Sequence, residues 1–79
     1  MKESVLVLST AHMLDTDPDF GDLRAISFEY GFIVWVKEQD YRTPWWINSV
    51  MEYAWNEGCT LIMFDRDGEV SEQFPCWSW

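Results

Sequence analysis

The sequence predicts an α+β fold, a small antiparallel or mixed sheet of four to five strands with one amphipathic helix on one face, in the order β-β-β-α-β-β. Three observations carry this. Short apolar runs of strand length recur at 5–8, 32–36 and 59–64, a two-residue alternation precedes the second run, and one stripe of helical period lies between a helix start at Thr43-Pro44 and a stop at Gly58. Strands and a single helix that are segregated along the chain place the helix over one sheet face.

Taken in order, Ser4 to Ser9 reads as a buried strand, because Val5, Leu6, Val7 and Leu8 are consecutive and two of them are β-branched. Such a run is expected at the centre of a sheet. Ser9 to Asp22 turns polar, with Asp17-Pro18 and Gly21, and predicts a long loop opened by one short helical turn. Ile26, Phe28 and Tyr30 alternate with Ala25, Ser27 and Glu29, and Phe32 to Val36 follows Gly31. Two strands joined tightly at Tyr30-Gly31, with Gly31 supplying a positive φ, or one bent strand with a bulge at Gly31, both satisfy that pattern.

Thr43 can cap a helix and Pro44 is pre-set for its first position. Ile47, Val50, Met51 and Ala54 then fall on one stripe, with Asn48, Ser49, Glu52 and Asn56 opposite. Cys59 to Phe64 predicts another strand, closed by the turn residues Asp65-Arg66-Asp67-Gly68, and Glu69 to Phe74 a short returning edge strand. Pro75 to Trp79 is expected to fold back over a sheet edge. No repeat, linker or low-complexity tract divides the 79 residues, so residues 1–79 are expected to form a single domain.

Fourteen Asp and Glu against five Lys and Arg give a net charge of −9. A negative surface disfavours nucleic acid and anionic membranes and favours a basic protein surface as partner; the same charge also keeps a domain with six tryptophans soluble. Val5 to Leu8 is too short for a signal-peptide core or a membrane span, so a cytoplasmic protein is expected; its charge suits a monomer, and a dimer through its tryptophans stays open. Cys59 and Cys76, seventeen positions apart and outside any CxxC pattern, read as reduced thiols that pack as small apolar residues.

Chemistry finds little to work with. His12, the single histidine, follows Ser9 and Thr10, but no carboxylate orienter or oxyanion-hole motif surrounds it; a cap at Ser9 or Thr10 with His12 bonded to backbone accounts for the segment. Asp15, Asp17 and Asp19 have calcium-loop spacing, yet Phe20 and Ile26 stand where the Gly bend and the closing Glu belong. No zinc spacing exists. The sequence therefore predicts neither enzyme activity nor a cofactor.

The carboxylates matter more as a surface. Asp15, Asp17, Asp19 and Asp22 bring four charges in eight residues, and Asp65, Asp67, Glu69 and Glu72 four more around Arg66. On an extended chain, alternate carboxylates lie ~6.5–7 Å apart, the scale of successive phosphates on one nucleic-acid strand, so such a surface can occupy a basic groove in place of DNA. Trp45 and Trp46 are adjacent and cannot both follow the helix stripe, so at least one is expected to be partly exposed; core packing at the helix start is the commoner role, and an exposed Trp beside acidic residues is an interface anchor. Those ten residues are the candidate partner-binding set.

Ser9-Thr10-Ala11-His12 after a short strand, Glu29-Tyr30-Gly31, Phe64-Asp65-Arg66-Asp67-Gly68 and Phe74-Pro75 with a terminal Trp resemble a family of small proteins of bacterial mobile elements and phages over nearly the whole chain. In size and acidity the chain is also similar to anti-CRISPR proteins, in particular inhibitors of type I-C complexes. That resemblance implies an inhibitor that binds the basic DNA-recognition surface of a type I CRISPR effector complex (Cascade), with a Cas subunit as partner. An antitoxin or immunity-type protein that binds a basic toxin or nuclease is the other reading of the same charge.

Overall fold

A computed structural model describes residues 4–77. Four strands, β1 (Val5–Ser9), β2 (Ala25–Phe28), β3 (Gly31–Trp35) and β4 (Leu61–Asp65), form one mixed sheet in the order β1-β4-β3-β2. β1 runs parallel to β4, while β4-β3 and β3-β2 are antiparallel. A 3₁₀ turn at Thr10–His12 follows β1, and a second at Trp45–Ile47 leads into the one α-helix, α1 (Asn48–Asn56).

The helix stripe is where the periodicity places it. Ile47, Val50, Met51 and Ala54 are buried, and Asn48, Ser49, Glu52 and Asn56 are exposed. Each of the three larger side chains removed from water contributes roughly 1.5–3 kcal/mol. They pack on the alternate sheet residues Leu8, Val34, Ile62 and Phe64, which register brings onto one face. The helix stops at Gly58, whose φ of 73° lets the Cys59 amide return to the Ala54 carbonyl at 2.9 Å.

The helix start differs from expectation. Thr43 does not cap it: its Oγ1 accepts the Asp40 amide at 2.9 Å, closing a turn one residue too early. Pro44 stands at the N-cap of the 3₁₀ turn without a side-chain acceptor, and α1 proper begins at Asn48, whose side-chain carbonyl accepts from Gln39.

Glu29 and Tyr30 form a tight turn between β2 and β3, which settles the two-strand reading. Gly31 is required there by close approach: a Cβ on it would lie 1.7 Å from the Phe64 carbonyl oxygen of β4. β1 is an edge strand and not the centre of the sheet, because β4 inserts between it and the β2-β3 hairpin. Residues 69–74 form no further strand. Glu69 meets the β1 edge once, accepting the Ser9 amide at 2.8 Å, after which the chain turns across the end of β1 toward Phe74. Residues 68–69 thus guard that edge. Trp77 instead docks on the first 3₁₀ turn, its amide donating to the Ala11 carbonyl at 3.0 Å; Ser78 and Trp79 lie outside the described residues.

Candidate partner-binding surface

The 13–24 loop is tied down by its apolar members. Met13, Pro18 and Leu23 are buried, and the Phe20 ring packs against Phe32 and Trp46 with centroids 5.3 and 5.4 Å away. Its carboxylates are consequently turned outward. Asp15, Asp17, Asp19 and Asp22 are all exposed. The Asp15 side chain accepts the Thr16 amide at 2.6 Å, and Asp19 accepts the Gly21 amide at 2.8 Å, so short polar turns fix the backbone without burying the charge.

Arg42 joins this loop to the one before the helix, lying 3.4 Å from Asp22 and 3.7 Å from Asp40. The Asp40 carboxyl is held below the usual carboxylate range, first by the Arg42 backbone amide that it accepts and then by the Lys37 and Arg42 charges. Asp22 is thereby partly neutralised. Asp15 and Asp17 have no base beside them among the described residues.

The two adjacent tryptophans separate completely. Trp46 is 3% exposed, donates its indole N–H to the Asp19 carbonyl at 2.8 Å and packs on Phe64, so it is a core residue that pins the acidic loop and is not available at the surface. Trp45 is 71% exposed and meets the Trp77 ring edge-on, centroids 6.0 Å apart. Trp46 holds the Asp19 carbonyl, and Pro44, the residue before Trp45, approaches Gly21, so the segment that carries Trp45 packs against the end of the acidic loop.

No hydrogen bond or ion pair among the described residues links the second acidic cluster to the first. Asp65 is half-buried at the end of β4 and accepts the Asp67 amide at 2.9 Å, while Asp67 lies 4.0 Å from Arg66. Glu69 and Glu72 line an open groove of ≈ 550 Å³ beside β1, with Leu6, Leu8, Tyr53 and Phe74 in its walls.

His12 is fully buried and does mechanical work. Its Nε2 accepts the Ser71 amide at 2.9 Å, which places the ring proton on Nδ1, 2.8 Å from the Pro75 carbonyl. The ring thus clamps the C-terminal segment to the end of β1, as expected for a histidine bonded to backbone behind a Ser9 cap, which accepts the Ala11 amide at 3.1 Å. Cys76 Sγ lies 3.5 Å from the same Nδ1. A nitrogen that already carries the proton cannot take one from the thiol, so this pair is not arranged as a nucleophile and its base. Both cysteines are free, but Cys76 is exposed and not packed as an apolar residue, because the clamp holds the segment by its backbone.

Among the described residues no helix is long and apolar enough to cross a membrane, and no group of three or more His, Cys, Asp or Glu is placed to hold a metal ion. The molecule is a small mixed-sheet α+β domain with an exposed Trp45 against a half-buried Trp77 and an acidic loop whose carboxylates face solvent. Residues 5–79 match the C-terminal domain of a family of unknown function (DUF5983), and the chain belongs to that family. No curated protein and no solved structure matches it.

Proposed function

We propose that this protein is a binding module that docks on a basic protein surface through Trp45, with Trp77 against it, and through the exposed carboxylates of Asp15, Asp17, Asp19 and Asp22. The observation that supports it is the 71% exposure of Trp45 next to a loop whose acidic side chains all face solvent. A large rigid ring left in water is suited to anchor an interface, and exposed carboxylates on the same molecule steer a positive partner.

In its particular form the proposal is an inhibitor on the DNA-recognition surface of a type I CRISPR effector complex, where the carboxylates replace phosphates and exclude target DNA. That form rests on the small size, the −9 charge and the sequence resemblance. The test is titration of purified Cascade with the chain. Trp45→Ala is expected to weaken binding about 30-fold, the scale of an anchor residue. The fourfold Asp→Asn variant of the loop is expected to weaken it about tenfold or more, wild-type affinity to fall with added salt, and duplex DNA to compete. Binding that ignores salt and DNA but needs Trp45 would reduce the mimic to a steric blocker. No binding to Cascade alongside salt-sensitive binding to a basic toxin or nuclease would replace the inhibitor with an antitoxin or immunity role.

A further inference from the structure

The strands carry two apolar faces, and the described residues cover one. Register places Val7, Met63, Ile33 and Ile26 in a single row across all four strands on the side away from the core, with Val5, Leu61 and Trp35 in the row beside it. Val5, Val7 and Ile26 are 41%, 46% and 49% exposed. A sheet with one solvated face normally alternates apolar and polar residues, whereas continuous apolar strands are those buried on both faces. Val5 to Leu8, Phe32 to Val36 and Leu61 to Phe64 have the second pattern.

We propose that this face is the interface with a second copy of the chain, packed sheet on sheet about a two-fold axis. A two-fold interface sets a patch against itself, so the patch must be self-complementary. The acidic loop fails that requirement, since like charges would meet. The open face satisfies it. Its strand positions carry one acidic side chain, Asp65 at the end of β4, and two of the few cations flank it, Arg24 over the Trp35 ring and Arg66 over the Tyr30 ring, 4.5 and 4.7 Å from the centroids. The net charge of −9 is therefore carried elsewhere on the molecule.

Size sets the strength. Four strands ~4.8 Å apart, three of five residues and one of four, cover about 300 Å², and with side-chain relief two copies together bury roughly 1,000 Å², the lower bound of a specific interface. The dimer is accordingly concentration-dependent. Its salt dependence has the opposite sign from docking on a basic partner, because screening relieves repulsion between two acidic copies while it weakens attraction to a cationic surface. The inference is thus independent of the proposed function.

Sedimentation equilibrium of the full chain tests it. The wild type is expected to double in mass by about 100 μM and to associate more tightly as sodium chloride rises from about 20 to 500 mM. Val7→Lys/Ile26→Lys, at exposed positions, is expected to stay monomeric with an unchanged circular dichroism spectrum, and Tyr41→Lys, on an exposed loop outside the sheet, to dimerise as before. A single-row variant, Val7→Thr, keeps the test open should the double variant unfold; it is expected to weaken the dimer about fivefold. Wild type that remains monomeric to about 1 mM overturns the proposal and assigns the face to a different protein. A dimer that survives the face variants, weakens with salt or is broken by Trp45→Ala overturns it as well.

Discussion

The two faces of the sheet are built from the same strands, one residue out of step, and they meet different fates. Leu8, Val34, Ile62 and Phe64 lie under α1 and are at most 3% exposed, whereas Val5, Val7 and Ile26 stand on the other side at 41% or more. Composition does not separate them, since both sets are apolar. What separates them is the helix stripe and the C-terminal segment that cover one side. Hydrophobic identity therefore marks where cover is wanted, and register decides which residues receive it from this chain.

The largest effect should come from charging the covered side. Val50→Asp sets an unpaired carboxylate against the buried sheet face, which costs several kcal/mol against a total stability of ~5–10 kcal/mol, and the chain is expected to be unfolded by circular dichroism. Val7→Lys, also Val to a charge, is expected to shift stability by no more than about 0.5 kcal/mol at micromolar concentration. Equal losses from the two would mean that both faces are already buried within one molecule.

A smaller effect tests the second component of the cover. His12→Ala removes a fully buried ring and strands the Ser71 amide and the Pro75 carbonyl that it satisfies. Urea unfolding is expected to show a loss of about 2–4 kcal/mol, with faster amide exchange at Ser71 and Trp77. Loss below about 1 kcal/mol would show that Phe74, packed on Tyr53 at 5.5 Å, holds the segment without the clamp.

The comparison also explains what the sequence made legible. Local periodicity located β2, β3, β4 and the α1 stripe, because each is set by residues within a few positions of one another. Pairing order was not local. Val5 to Leu8 reads as a central strand because every residue in it is apolar, but it is an edge strand whose Val5 and Val7 side chains stand exposed among the described residues. The same discrepancy is the signal for the open face. At the candidate site, the outward turn of Asp15 to Asp22 was readable, and so was the rule that Trp45 and Trp46 must diverge. Which of the two stays in water was not, since that depends on the Asp19 carbonyl, twenty-seven residues away. Nor was the misplacement of Thr43, whose hydroxyl is taken by the nearer Asp40 amide before the helix begins.

The smallest effect lies at the rim of the covering layer, where Tyr53 leaves the buried stripe and faces Glu57 one turn on. The phenol pKa is raised above its ordinary value near 10, chiefly by the Glu57 charge, then by burial and by a hydrogen bond to the same carboxylate. An acid with a raised folded-state pKa stabilises the fold in its neutral form. That contribution is complete below the unfolded value of about 10 and is lost as pH rises through the folded one. Alkaline conditions should therefore loosen the helix end before they touch the stripe. Absorbance titration in a Tyr30→Phe/Tyr41→Phe background isolates Tyr53, and Glu57→Gln is expected to lower its midpoint toward 10 while thermal stability at neutral pH hardly moves. A midpoint unchanged by Glu57→Gln would make burial the cause instead of the charge, and Tyr53 would then belong to the covered side and not to its rim.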